Sequence, residues 1–320
     1  MQLTLIVHGL RSAEQTSARN VDALHRLAAL GAVTELARDI DAQSLVAVGL
    51  PADTPVAPLA ALGAGFDARG AHVLRADPLA LVAGRDDVLM TGRIDDLTDD
   101  DAQALRATLA AHFAEDGLAF HVPRPDAWFV TSADHVPVET TPLRSVAGSL
   151  QPFLPRGPHG RIWRRWLSEM QMLLHAHPVN AAREAAGRAP VTGIWIADGG
   201  VLAGAVPALP TLHVTARPEG DVGRGLATLG GIPAHPLPAA YAALPAADAL
   251  VVADPVTDAD ALARVLRDWL EPAVLALERA ALSRLVVVGD GQGRACEWNA
   301  GSPSLLGRLK ARLRRASTGA

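Results

Sequence analysis

Short apolar runs alternate along this chain with helical patterns of 10–20 residues, and that alternation most constrains the fold. Leu3–Val7, Ala249–Ala253 and Leu285–Val288 read as buried strands, and Gly193–Ala197 and Thr211–Thr215 as further strands. Helices are expected over Ser17–Leu30, Val56–Leu62, Asp99–Phe113, Arg161–Ala176, Pro178–Gly187 and Asp258–Leu277. Asp99–Phe113 has the clearest pattern. Three aspartates open it, favouring the positive end of the helix dipole, and Ala102, Leu105, Leu109 and Phe113 recur at helical spacing. Strands alternating with helices predict an α/β fold, a mainly parallel sheet with helices on both faces. Leu118–Val122 and Ala127–Thr131 alternate like paired strands around Pro123-Arg124-Pro125. Ser44–Val48 is a further apolar run, stopping at Gly49-Leu50-Pro51. Glu139–Gly160, rich in Pro, Gly and Ser, reads as a long crossing loop.

Composition narrows the classes. At 320 residues, 49% hydrophobic and 20% charged, the chain is long enough to bury a large core without staples and is not disordered throughout. One cysteine, Cys296, excludes a disulfide framework, a Cys-rich zinc site and an iron–sulfur cluster. The net charge of −5 provides no global basic field for nucleic acid or membrane. No membrane span and no signal-peptide n-region are apparent, so a cytoplasmic location is expected. Lys310, the only lysine, lies in the tail, which argues against Schiff-base chemistry. Leu305–Arg315 reads as an amphipathic basic helix. It either packs its leucines on the sheet or meets an anionic partner.

In open α/β sheets, ligands bind beyond the carboxyl ends of the strands. His8, Asp198, Asp254 and Asp290 each follow or end an expected strand. Converging there, they could hold a metal or perform acid–base work; standing apart, they would start turns. His175 and His177 are the only close histidine pair, suited either to a metal or to helix capping. Gly289–Gly293 is glycine-rich but lacks the phosphate-loop lysine, and no GxSxG nucleophile elbow occurs.

Residues 166–200 carry a family resemblance. Trp166 to His177-Pro-Val-Asn180-Ala-Ala-Arg183-Glu-Ala-Ala-Gly187-Arg-Ala-Pro190, followed by Trp195 and Gly199-Gly200, resembles the HPVNxxRExxGxxP segment of the RpfE-type bacterial regulatory family. Weaker matches at Arg75–Leu81, Phe113–Phe120, Thr140–Leu143 and Leu154–Gly157 extend it over about two thirds of the chain in order. That family is similar to cofactor-independent phosphoglycerate mutases of the archaeal type, in the alkaline-phosphatase-like superfamily. Ser17–Gly31 resembles their TPNLDxLAxxG helix, and Gly49–Gly63 their GSDVAxLxLLG segment, which holds the serine nucleophile. The resemblance implies an alkaline-phosphatase-like core over 1–74 and 161–302, an inserted segment over 75–160 and a basic tail over 303–320.

Such mutases use a phosphoserine and two divalent metals held by Asp and His. Carried onto this sequence, the first-strand aspartate becomes His8, and the nucleophile position falls on Thr54, followed by Pro55. Asp258 remains of an Asp-x-x-x-His pair whose histidine is Leu262, and Asp290-Gly291 stands for Asp-His. His8, Asp258 and Asp290 are therefore vestigial metal candidates, too few to offset desolvation of two dications. The resemblance implies a catalytically degenerate protein without cofactor, regulatory or binding a small phosphorylated or carboxylated metabolite at Asn180 and Arg183. Those two residues could equally serve the fold. The alternative is an active mutase or phosphatase using Thr54 with manganese or another divalent metal.

Overall fold

The computed structural model describes residues 1–10, 22–36, 39–84, 87–133, 138–146, 148–202, 208–291 and 294–303. The expected tail helix and the first turns of the Ser17–Leu30 helix lie outside these residues. The chain divides into two compact units. The first comprises Met1–Ala52, Pro207–Gly220 and Gly230–Ala320, the second Asp53–Val206 and Asp221–Leu229. Residues 53–74 and 161–206, assigned from sequence to the core, thus join the segment read as an insert. The physical reason is strand pairing: β3 (His72–Ala83) runs through the expected boundary and pairs with β8 (Gly193–Val201).

Among the described residues, the first unit is built on a seven-stranded sheet. In spatial order it runs β10 (Ala234–Pro236), β9 (Thr211–Val214), β11 (Ala249–Val252), β1 (Gln2–Val7), β12 (Arg284–Gly291), β13 (Arg294–Gly301) and β2 (Gly31–Leu36). The five strands from β10 to β12 pair in parallel; β13 is antiparallel to both neighbours. The fold is α/β with a mainly parallel sheet here, as the alternation of runs requires.

Leu3, Leu5 and Val7 of β1 share one face with Ala249 and Val251 of β11 and Leu285 and Val287 of β12. That face is covered by α1 (Asp22–Leu30), α8 (Ala259–Val265) and α9 (Glu271–Glu278), which bury Leu24, Leu27, Leu262, Val274 and Leu277 against it. Burying each such leucine contributes about 2 kcal/mol. The other face receives α2 (Ile40–Ala47), so the Ser44–Val48 run is mostly helical. Asp39 starts this helix by accepting the Ala42 amide at 2.9 Å. The single helix expected over Asp258–Leu277 contains a π-helical turn, Leu266–Leu270, directly before Pro272. Proline lacks an amide and clashes with the preceding turn, so the wider turn lets the helix continue. Gly31 opens β2 where a Cβ would overlap the Asn299 carbonyl of β13.

The second unit differs from the parallel expectation: among the described residues, every pairing in its sheet is antiparallel. Its path is β5 (Leu118–Arg124), β6 (Ala127–Ser132), β3, β4 (Val88–Arg93) and β7 (Gly148–Ser149), with β8 also on β3. Short connections between β3 and β4, and between β5 and β6, leave no room for a crossover and force hairpins. One face is packed by α4 (Asp99–Phe113) and α5 (Gly160–His175) through Leu105, Leu109, Phe113, Trp163, Trp166 and Met170. The Trp163 and Trp166 rings meet edge to face at 4.9 Å.

Also in this unit, α3 (Val56–Gly63) crosses α7 (Asp221–Gly230) at glycines. A Cβ on Gly63 would overlap the Asp221 carbonyl, and one on Gly225 the Leu59 carbonyl. Both obstacles are backbone, so neither can swing aside. Gly225→Ala is expected to destabilise the protein by about 3 kcal/mol, read from urea unfolding, because the two helices must move apart. An unchanged urea midpoint would show that the crossing has slack.

Candidate functional site

The carboxyl ends of four neighbouring strands, β9, β11, β1 and β12, gather polar groups in the first unit. After β1 the chain turns sharply at Gly9, with φ +78°; a Cβ there would overlap the Val256 carbonyl, so glycine is required. The turn is held from both sides. The Val256 amide donates to the His8 carbonyl at 2.8 Å, and the Gly9 amide donates to Asp290 Oδ1 at 2.5 Å. The His8 side chain points to α2, where its Nε2 lies 3.1 Å from Asp41 Oδ1. Exposure is only 4% for His8, 3% for Asp41 and 6% for Asp290, so this is an interior polar cluster. His8 Nδ1 is buried without a hydrogen-bond partner among the described residues.

The remaining acids are engaged nearby. Asp254, exposed after β11, accepts a hydrogen bond from the Thr215 hydroxyl beyond β9. Asp258 caps α8: it accepts the Ala261 amide at 2.7 Å and the Thr257 hydroxyl at 3.1 Å. The Ala261 bond above all, then the Thr257 bond, holds its carboxyl below the ordinary aspartate range. Leu262, where the family resemblance calls for histidine, is 2% exposed and part of the apolar core behind the sheet. Among the described residues no group of three His, Cys, Asp or Glu side chains is placed to hold a metal ion.

His8, Asp254 and Asp290 thus share one sheet end, as their strands require. Asp198 does not. It lies in β8 of the second unit, at φ 60°, where the pairing of β8 with β3 shifts register. Gly199 and Gly200 follow it, and a Cβ on Gly200 would overlap Pro55. Thr54, the nucleophile position, is half-buried in that second unit, just before Pro55 and the start of α3. Gly291 ends β12; residues 292 and 293 of the glycine-rich stretch lie outside the described residues.

Asn180 and Arg183, expected to meet an anion, instead serve the fold. Asn180 Nδ2 donates to the Leu174 and Val191 carbonyls, both at 2.7 Å, while its Oδ1 accepts the Val191 amide at 2.8 Å. The residue therefore staples α5 and α6 (Pro178–Ala185) to the strand-entry segment at Val191. Arg183 is fully buried; its Nε donates to the Ala189 carbonyl at 2.8 Å and its terminal nitrogen pairs with Asp96. Burial of a guanidinium demands such partners; here they engage Nε and one terminal nitrogen, while Nη1 lies 3.9 Å from Asp101 with no hydrogen bond among the described residues. His177 caps α6, its Nδ1 accepting the Val179 amide at 3.2 Å, which leaves Nε2–H to donate to the Thr108 hydroxyl at 3.0 Å. Burial lowers the pKa of this ring. His175 is exposed at the end of α5, so the pair caps and ends helices.

Asp41 and Thr215 are the site residues that sequence reading overlooked. Asp39-Ile40-Asp41 carried a signal for the first of them, a capping aspartate with acid in the first turn, masked by the strand-like run that follows.

No protein-family model matches the chain. A 2,3-bisphosphoglycerate-independent phosphoglycerate mutase of Methanosarcina barkeri is 29% identical over 168 residues, 46% of this chain and 42% of that protein. The enzyme of the same name from Methanosarcina mazei is 25% identical over 103 residues, 31% of this chain and 26% of its own. The chain thus matches less than half the length of these curated relatives. Among solved structures, the cofactor-independent phosphoglycerate mutase from Thermoplasma acidophilum aligns over 95% of this chain and 90% of its own, at 19% identity and TM-score 0.39. A Pyrococcus horikoshii protein aligns over 94% and 87%, at 14% identity and TM-score 0.46. The sequence similarity is therefore to cofactor-independent phosphoglycerate mutases. Among the described residues, no helix is long and apolar enough to cross a membrane.

Asn180→Ala is expected to cost about 3 kcal/mol in urea unfolding, because it removes the partners of the Val191 carbonyl and amide and one of the bonds to the Leu174 carbonyl. A loss below 0.5 kcal/mol would mean that Asn180 does not staple the helices.

Proposed function

We propose that this chain is a phosphoglycerate-mutase-like protein of the RpfE type that no longer transfers phosphoryl groups and acts as a regulatory, metabolite-binding component. The sequence similarity to bisphosphoglycerate-independent mutases supports the lineage. One observation carries the loss of chemistry: the side chains left at the positions where the resemblance calls for a metal ligand have other tasks, and Gly291 has no side chain to offer. His8 is paired with buried Asp41, Asp290 holds the Gly9 amide, Asp258 caps a helix, and Leu262 fills the core. Binding two dications would require these groups to abandon hydrogen bonds inside the protein and would still supply few anionic oxygens.

Thr54 adds to this reading. A secondary hydroxyl is a weak nucleophile unless a base or metal activates it, and the following residue, Pro55, brings no acid. The partner would be a small phosphorylated or carboxylated metabolite, taken up elsewhere than at the inward-facing Asn180 and Arg183. The place of action would be the cytoplasm.

The test combines metal titration with assay. Manganese titrated calorimetrically into the chelator-treated protein is expected to show no stoichiometric pair of sites, and neither manganese nor EDTA should move Tm. Interconversion of 2- and 3-phosphoglycerate should not exceed that of a heat-killed control. Tight uptake of two manganese ions, or mutase activity that vanishes in Thr54→Ala, would instead establish the active-enzyme reading. A Tm rise with 3-phosphoglycerate but not with inorganic phosphate would support metabolite binding.

A further inference from the structure

We propose that His213 and His235 form a site for one imidazole-seeking divalent transition-metal ion, zinc or nickel in class, which clips edge strand β10 onto β9. The two residues are direct register partners on these adjacent parallel strands, so their side chains leave the same face of the sheet. Their ring centroids are 5.3 Å apart, with the planes tilted by 34°. A tetrahedral zinc ion holds imidazole nitrogens at about 2.0–2.1 Å, which sets two bound rings about 5 Å apart between centroids. The backbone already brings the rings to that spacing.

The polarity of His213 points the same way. It is 6% exposed, and its Nδ1 lies 3.4 Å from the Pro236 carbonyl oxygen. A carbonyl only accepts, so this contact places the proton on Nδ1 and leaves a lone pair on Nε2. That Nε2 is buried and has no hydrogen-bond partner among the described residues. A carbonyl on one ring nitrogen and an unused lone pair on the other is the arrangement that orients a ligating histidine. His235 is exposed and can adjust its rotamer to complete the pair, with water filling the remaining positions.

Imidazole favours zinc, nickel and copper, whereas carboxylate-rich sites suit manganese and magnesium. The pair is thus separate in chemistry from the strand-end acids. Its effect would be local: β10 is three residues long and lies at the sheet edge, held by few backbone bonds. An ion joining residues 213 and 235 binds the folded chain in preference to the unfolded one and stabilises it.

Zinc and nickel ions titrated into the full chain are expected to bind at one ion per chain with micromolar affinity, and saturating zinc should raise Tm by a few degrees. His235→Ala, a change at an exposed ring, is expected to weaken zinc binding at least tenfold while leaving the metal-free Tm unchanged. His235→Cys, which offers a thiolate, should restore it. Zinc binding as tight in His235→Ala as in the wild type, or no binding by the wild type at millimolar zinc, would overturn the assignment. The manganese titration of the strand-end groups is read independently, so either idea can fail alone.

Discussion

The Asp290 carboxylate accepting the Gly9 amide is the contact on which the strand-end region depends. The chain leaves β1 through a turn that only glycine can make and then passes over the backbone of Val256. In that turn the half-buried Gly9 amide has no strand partner. Asp290, one strand away, satisfies it at 2.5 Å, while the Val256 amide holds the His8 carbonyl. A buried carboxylate is tolerated only when hydrogen-bonded, and this bond is short and charge-assisted. The same turn aims the His8 ring at Asp41.

This arrangement couples fold to function. In open α/β sheets the strand ends are where ligands bind, and here that place is knitted together by the chain's own polar groups. His8 cannot offer Nε2 to an external ion without giving up its contact with the buried Asp41 carboxylate, a costly exchange in the interior. The residues that read most readily as an anion site, Asn180 and Arg183, repeat the pattern in the second unit. Most of their polar groups bond to carbonyls, one amide and the Asp96 carboxylate.

Much of the fold was legible where local pattern and tertiary packing agree. Asp99–Phe113 forms the expected helix to the residue, because its acids, Thr98 cap and apolar stripe all favour one answer. β1, β11 and β12 are buried on both faces and read as continuous apolar runs. β3 was hidden because Arg75, Asp77 and Pro78 interrupt its pattern, and Pro within a run argues against a strand. Inside the sheet Asp77 is tolerated through its ion pair with Arg93 at 3.3 Å. β2 carries little sequence signal because most of its residues are exposed and Gly31 also fits a helix end. At the candidate site, His8, Asp254 and Asp290 lie at the carboxyl end of one sheet because the strands they follow or end are parallel neighbours. Asp41 was illegible because its importance arises from a partner 33 residues away. Asp198 misled because one short run cannot tell which of two sheets it joins.

The most direct measurement is an anomalous-difference map from crystals grown with manganese and 3-phosphoglycerate, collected at a wavelength where manganese scatters anomalously. If the strand-end groups are committed to the fold, no manganese peak appears among His8, Asp254, Asp258 and Asp290, and the His8 ring remains on Asp41. Two peaks about 3.5–4 Å apart at those residues, or a phosphorylated Thr54, would contradict it.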